Sequence, residues 1–193
     1  MKRPELVAVG TSLGGLNALT TLLAMMPAKF LAPIVIVQHR TVNPDGGGLE
    51  KLLQEHTRLT VFEAEDKMPL EPGGVYLAPA DYHLMIESRG VLALSTDAPV
   101  RAARPSIDVL FQTAADAYRD SLLAVLLTGA SADGAEGVAS VKALGGRAIV
   151  EDPDTAECRT MPAAALATTA VDYVLPLAKI GDHLVTLVEG TRA

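Results

Sequence analysis

The chain has 193 residues, of which 49% are hydrophobic and only 4% aromatic, and its formal net charge is −7. This acidic balance argues against a nucleic-acid-binding surface, and the single cysteine excludes an intrachain disulfide framework. No apolar run reaches the roughly 18 residues that span a bilayer, and the start of the chain lacks a signal-peptide pattern. We therefore expect a cytoplasmic protein that neither binds nucleic acid nor inserts into a membrane.

Short aliphatic runs that end in polar or glycine-containing segments alternate with segments of helical periodicity. Strands are predicted at 5–9, 33–38, 59–63, 74–78, 122–128, 146–150 and 172–175. Helices are predicted at about 14–26, 47–55, 107–118, 134–144, 162–168 and 177–188. Segments 83–87 and 91–95 flank Ser88-Arg89-Gly90 and predict a β-hairpin. The pattern predicts an α/β fold with a doubly wound, mostly parallel sheet, helices on both faces and a small antiparallel hairpin, as a single domain over residues 1–193.

The first predicted strand breaks into a serine flanked by glycines. Residues 10–14 read Gly-Thr-Ser-Leu-Gly, which fits the G-x-S-x-G pattern of a strand-to-helix elbow. Such an elbow presents a nucleophilic hydroxyl, and its glycines allow a tight turn and close approach of a substrate. The pattern makes Ser12 a candidate nucleophile, although a serine in this position can also simply cap the following helix.

Two more reactive side chains follow predicted parallel strands. His39 comes after strand 33–38, and Asp133 lies in the loop after strand 122–128. Ligands of doubly wound sheets bind beyond the carboxyl ends of the strands, so Ser12, His39 and Asp133 are predicted to meet at one edge as nucleophile, general base and orienting acid. The main-chain amides of Leu13, Gly129 and Ala130 are the candidate oxyanion donors.

Each of the other two candidates also has a structural explanation. Asp133 with Glu136 forms a D-x-x-E sequence that is typical of a helix N-terminus, and His39 could be a hydrogen-bonded loop histidine. His83, after strand 74–78, is the rival base, and we rank it second because its hairpin strand should carry it away from the parallel edge. The joint placement of three complementary groups favours catalysis.

Several segments resemble the catalytic domain of the chemotaxis protein-glutamate methylesterase (CheB-type) family. They include V-G-T-S-L-G-G-L, I-V-I-V-Q-H-R, R-P-S-I-D-V-L-F, L-L-T-G-A-S-A-D-G-A-E-G and G-G-R-A-I-V-E-D-P. The resemblance extends over nearly the whole chain and assigns Ser12, His39 and Asp133 as the triad. The chain differs from the usual family pattern at Leu13, at Ala130, at 100–103 and at 155–160.

The resemblance implies hydrolysis of γ-glutamyl methyl esters on the cytoplasmic helices of methylated chemoreceptors, with release of methanol, and also deamidation of receptor glutamines. It implies no metal and no organic cofactor. Because the first strand begins within five residues of Met1, we expect no receiver domain here, and a response-regulator receiver acting in trans is a further expected partner. Arg40, Arg104 and Met161 are the candidate substrate contacts at the mouth of the site.

Two alternatives remain open from the residues. A strand, a glycine-rich loop and a helix can also cradle phosphates, which would make the protein a nucleotide-binding module. However, Gly10, Gly14 and Gly15 do not give G-x-G-x-x-G, and Leu16 stands where a P-loop has lysine. A non-catalytic signalling module on the same α/β scaffold is the other alternative.

Overall fold

The computed structural model describes residues 2–40 and 48–190. Seven strands form one parallel sheet: β1 (Leu6–Thr11), β2 (Ile34–Gln38), β3 (Thr60–Glu63), β4 (Gly74–Leu77), β7 (Leu122–Leu126), β8 (Arg147–Glu151) and β9 (Tyr173–Leu175). Strands β5 (His83–Ser88) and β6 (Val91–Ser95) form a separate antiparallel hairpin. The helices are α1 (Gly15–Ala24), α2 (Leu49–Gln54), α3 (Ile107–Tyr118), α4 (Ala135–Ala143), α5 (Thr160–Thr168) and α6 (Leu177–Glu189).

The predicted fold class is confirmed, and the observed elements begin and end within two residues of the predicted bounds. Position 47, where the second helix was expected to begin, lies outside the described residues. The strands are short aliphatic runs because both faces of the sheet are covered, so every side chain of a central strand is buried.

The core has two layers, one on each face of the sheet. Along β1, Leu6 and Ala8 pack with α3, α4, α5 and the hairpin, whereas Val7 and Val9 pack with α1 and α6. This alternation follows from the two-residue period of a strand. None of the helices in the described part of the chain has the length and apolarity that a membrane crossing requires.

The strand order is β3-β4-β2-β1-β7-β8-β9. From β1 the chain first builds the half of the sheet that contains β2, and it then returns to add β7 on the other side of β1. The order of the strands therefore reverses at β1, and the loops after β1, β2 and β7 diverge around a crevice at their carboxyl ends. Such a switch point is where doubly wound sheets bind ligands.

Candidate active site

The serine loop is fixed through the main chain of Ser12. Its N–H donates to the Thr128 carbonyl at 3.0 Å, and its carbonyl accepts the Gly15 N–H and the Gln38 side-chain amide, each at 2.9 Å. Helix α1 begins after Gly14, which has φ 80°, and no side chain caps it. The Ser12 hydroxyl is therefore not used as a helix cap, and the side chain remains partly exposed in the crevice.

His39 and Asp133 are in direct contact. His39 Nε2 lies 2.7 Å from Asp133 Oδ2. The main-chain N–H of His39 donates to the Thr11 carbonyl at 3.1 Å, which fixes the backbone of His39 beside the serine loop. Because Nε2 faces the carboxylate, Nδ1 is the ring nitrogen left to accept a proton from a nucleophile. Ser12 and His39 line the same cavity, which has a volume of about 870 Å³.

Asp133 is fully buried, and its carboxylate accepts four hydrogen bonds. Oδ2 accepts from His39 and from the Ile107 N–H at 2.7 Å, while Oδ1 accepts from the Ser106 hydroxyl at 2.9 Å and the Asp108 N–H at 3.1 Å. Burial by itself raises the pKa of this carboxyl, but the bonds from His39 and the α3 N-terminus outweigh it, and the net pKa is lowered. The group is an ionised acceptor that can hold an imidazolium.

The D-x-x-E interpretation of Asp133 is wrong in this structure. The residue that precedes α4 is Gly134, with φ 96°, and α4 has no side-chain cap. The Asp133 carboxylate instead lies at the N-terminus of α3, a different helix.

Of the three expected oxyanion donors, the Gly129 N–H is excluded by the structure. Its N–H donates to the Cys158 carbonyl at 3.2 Å, so it is not available to a substrate. The N–H groups of Leu13 and Ala130 make no hydrogen bond to another described residue. Gly129 is needed for close approach instead, because a Cβ there would lie 2.5 Å from Met161 Cε and 3.0 Å from Ser12 Cβ.

Comparison with known proteins assigns the chain to a family. The profile of the CheB methylesterase domain matches residues 7–184. The chain belongs to the CheB methylesterase family. A putative protein-glutamate methylesterase/protein-glutamine glutaminase of Leptospira interrogans is 45% identical over 183 residues, which cover 95% of this chain and 94% of that protein.

Two further relatives extend the comparison. The protein-glutamate methylesterase FrzG of Myxococcus xanthus is 38% identical over 186 residues, and the match covers 95% of this chain but 55% of FrzG. The crystal structure of the Thermotoga maritima CheB methylesterase catalytic domain superposes with a TM-score of 0.90 at 36% identity, covering 97% of this chain and all of that domain. The family resemblance and the fold expected from sequence are both confirmed.

Thr128 connects the methylesterase serine loop to β7 and to the loop before α5, a role that was not expected from the sequence. Its carbonyl accepts from Ser12, and also from the Thr11 hydroxyl at 2.9 Å. Its own hydroxyl donates to the Leu13 carbonyl at 2.9 Å and accepts the Cys158 N–H at 2.8 Å. The only signal for it in the sequence is a hydroxyl residue at the end of an aliphatic predicted strand, directly before Gly129.

His83 lies at the edge where the sequence argument did not place it. It is buried, its Nδ1 accepts the Ser106 N–H at 3.2 Å, and its Nε2 contacts the Ala98 carbonyl at 3.2 Å. The hairpin therefore does not carry His83 away from this edge, and that expectation is wrong. His83 is nevertheless a poor base for Ser12, because both ring nitrogens already have protein partners. Its position supports Ser106, which in turn donates to Asp133.

Arg40, Arg104 and Met161, the expected substrate contacts, do not line the Ser12 cavity. Arg40 pairs with Glu63, and Arg104 pairs with Asp81 at 2.6 Å and also donates to two main-chain carbonyls. Both arginines line a second cavity, of about 710 Å³, on another side of His39 rather than the cavity that holds Ser12. Met161 is fully buried behind Gly129 and does not line either cavity.

Proposed function

We propose that Ser12, His39 and Asp133 are the catalytic triad of a protein-glutamate methylesterase. The observation that carries the proposal is the 2.7 Å bond between His39 and a buried, ionised Asp133 beside a cavity that exposes Ser12. The relatives bearing the methylesterase name belong to the same family, and that family supports hydrolysis over the nucleotide-binding and non-catalytic alternatives.

The reaction follows from the roles of the three side chains. The Ser12 Oγ attacks the γ-carbonyl carbon of a glutamate methyl ester while His39 Nδ1 takes the hydroxyl proton. The N–H groups of Leu13 and Ala130 stabilise the oxyanion, and Asp133 stabilises the imidazolium. Collapse expels methanol, which receives the proton from His39. Water then attacks the acyl-enzyme by the same route and leaves glutamate and free Ser12.

The second half of the relatives' names, protein-glutamine glutaminase, fits the same steps. A side-chain amide in place of the ester gives the same acyl-enzyme, and ammonia leaves instead of methanol. Protonation of the departing nitrogen by His39 is then essential, because an amide anion is a much poorer leaving group than methoxide. We propose deamidation as a second activity of the same triad.

The cavity around Ser12 fits an amphipathic helix as the carrier of the ester. Three leucines project into it, Leu13 at 59%, Leu16 at 44% and Leu52 at 39% exposed. Leu13 and Leu16 are three residues apart and line the same cavity as the nucleophile, so an apolar ridge of a partner helix can lie beside them. We propose that this surface holds a helix of a methylated chemoreceptor.

The charges of the same cavity favour the neutral ester over the product. Glu55 and Glu157 line it, and neither makes an ion pair with another described residue. Glu157 lies against Gly14, since a Cβ there would be 2.9 Å from its Oε2. A product carboxylate bound nearby would be repelled, and the methyl ester would not. This arrangement assists product release.

The triad is tested by methanol release from a methylated chemoreceptor cytoplasmic fragment. Ser12→Ala should lower the rate by at least about 10³-fold, because the acyl-enzyme cannot form. A fluorophosphonate probe should label the wild-type chain and not Ser12→Ala. Full methanol release by Ser12→Ala would overturn the proposal. Location in the cytoplasm and control by a receiver in trans are further proposals that rest on the family resemblance alone. Adding a phosphorylated receiver to the assay tests the second of these.

A further inference from the structure

Two buried carboxylates link the N-termini of α3 and α4 by reciprocal hydrogen bonds. Asp133, which precedes α4, accepts the N–H groups of Ile107 and Asp108 in the first turn of α3. Asp108, in that same turn, accepts the N–H groups of Gly134 at 2.9 Å and Gly137 at 2.7 Å at the start of α4. Asp133, which precedes α4, thus caps α3, and Asp108, which lies in α3, caps α4.

Asp108 is 3% exposed and has a cationic partner. Arg101 Nε lies 3.2 Å from Asp108 Oδ2, and the guanidinium also lies 3.8 Å from Glu136 on α4. All three groups bonded to the Asp108 carboxylate are donors, which is the pattern of an ionised acceptor. Burial, helped by the neighbouring Asp133 charge, raises the net pKa of Asp108 above its ordinary value, and the Gly137 and Gly134 N–H groups and Arg101 oppose that rise by favouring the charged form.

The backbone of Arg101 is held in an uncommon conformation. Arg101 has φ 49° and Ala102 has φ 62°, and a main-chain bridge between Val100 and Ala103 closes the turn. Two successive non-glycine residues in the left-handed region cost free energy, so the surrounding contacts must hold them. The turn directs the guanidinium to Asp108, although its side chain is 46% exposed and could otherwise be solvated.

We propose that Asp108 and Arg101 form a charge pair that positions Asp133 and sets the pH range in which His39 acts as a base. Asp108 is a positioning residue here and does not touch substrate. Its negative charge stabilises an imidazolium at His39 through the shared α3 N-terminus, and the Arg101 charge opposes this. Near the pair lie Glu136 on α4 and His83, which reaches Asp133 through Ser106. The charged or titratable groups that share a cavity with His39 are Glu55, His56, Glu157, Arg40, Asp81 and Arg104, and the variants below leave all of them unchanged. The inference rests on the proposed triad.

The two members of the pair should act in opposite directions. Asp108→Asn retains an oxygen that can accept the Gly134 and Gly137 N–H groups but removes the charge, so the acidic midpoint of the kcat/KM profile should move to lower pH by about half a unit. Arg101→Gln removes the opposing charge, and the midpoint should move to higher pH by a similar amount. The plateau rate should fall less than tenfold in both variants.

Glu87→Gln is the matched control. It also removes one negative charge, but Glu87 lies on the hairpin in an exposed ion pair with Lys67, so the midpoint of the profile should stay unchanged. Midpoints that stay fixed, or that move the same way in Asp108→Asn and Arg101→Gln, overturn the proposal and leave only a structural role. The substrate is a synthetic peptide that carries a glutamate γ-methyl ester.

A titration without turnover separates this inference from the proposed function. The imidazole proton resonance of His39, assigned by its loss in His39→Gln, is followed against pH in the full chain carrying Ser12→Ala. Adding Asp108→Asn or Arg101→Gln to that background should move the His39 titration down or up in pH, respectively. These opposite shifts support the charge pair even if Ser12→Ala were to retain activity, and their absence counts against the pair whatever the activity shows.

Discussion

Glu151, the last residue of β8, accepts the N–H of Thr128 at 2.8 Å, and Thr128 in turn accepts the N–H of Ser12. A buried carboxylate therefore lies two hydrogen bonds from the proposed nucleophile. Burial raises the pKa of Glu151, the acidic neighbours Asp152 and Glu157 raise it further, and the Thr128 N–H lowers it. The ionised form is thus a cost to folding at neutral pH, because the folded state favours the protonated form.

We expect Glu151→Gln to be more stable than the wild type at pH 8, by a few degrees in Tm. The amide oxygen can still accept the Thr128 N–H, while the buried charge is lost. A carboxyl with a raised folded-state pKa gains stability as the pH falls through that pKa, so the advantage of the variant should shrink toward pH 4.5. Thermal unfolding from pH 4.5 to 8 measures this. An advantage that grows on acidification would contradict the assignment.

Asp133→Asn should combine a loss of activity with a loss of stability. An asparagine cannot hold an imidazolium, and its NH₂ group would face donors such as the Ile107 N–H, so we expect at least about 10³-fold lower kcat and destabilisation of about 1–3 kcal/mol. The pKa of Asp133 is lowered by folding, so its contribution to stability is present above the ordinary value of 3.8 and is lost as the pH falls through the folded-state value.

Acid unfolding tests the second part of that prediction. The stability difference between wild type and Asp133→Asn should narrow below about pH 4. A constant difference down to pH 2 would show that the four hydrogen bonds do not depend on the carboxylate charge.

Gly129→Ala should lower kcat by about tenfold or more, because the new methyl group would lie 2.5 Å from Met161 Cε and 3.0 Å from Ser12 Cβ. Shortening Met161 makes room for this methyl group. Gly129→Ala should therefore lower kcat less in a Met161→Ala background than in the wild type. Single-turnover acylation by a small activated ester measures the effect. Equal rates for Gly129→Ala and wild type would show that the serine loop does not need this close approach.

Leu16→Ser should raise KM for the receptor fragment by about tenfold while leaving a small ester unaffected, because roughly 1–2 kcal/mol of apolar burial is lost from the proposed helix-binding surface. Leu31→Ser is the matched control, since Leu31 is 50% exposed and does not line the Ser12 cavity. Equal effects of the two changes on KM would remove the cavity as the docking surface.

Arg104→Gln tests whether the second cavity contributes to substrate binding. Since Arg104 is paired with Asp81, neutralising it alone leaves an excess negative charge beside His39, whereas Arg104→Gln/Asp81→Asn leaves none. If an acidic receptor segment binds there, the single change should raise KM for the receptor fragment severalfold more than the double change does. The same KM in both variants and in the wild type would exclude this cavity from substrate binding.

The sequence was sufficient for the element order and for the position of the candidate triad within it. Aliphatic runs of four to seven residues and their polar ends depend on local periodicity. Because the carboxyl ends of parallel strands lie at one edge of a sheet, Ser12, His39 and Asp133 are expected there whatever the detailed loop paths. The resemblance to the family added the nature of the substrate, which no periodicity contains.

Only the tertiary structure decided which polar atoms are available and which are already bonded. The amide of Gly129 is taken by Cys158, Arg104 by Asp81, and the Asp108 carboxylate by the start of α4. These partners are 23 to 29 residues apart in the chain. Such pairings depend on how separate loops pass one another above the sheet, and each loop's path depends on contacts with the others. Local sequence sets where a loop begins, and the packed edge sets what its atoms bind.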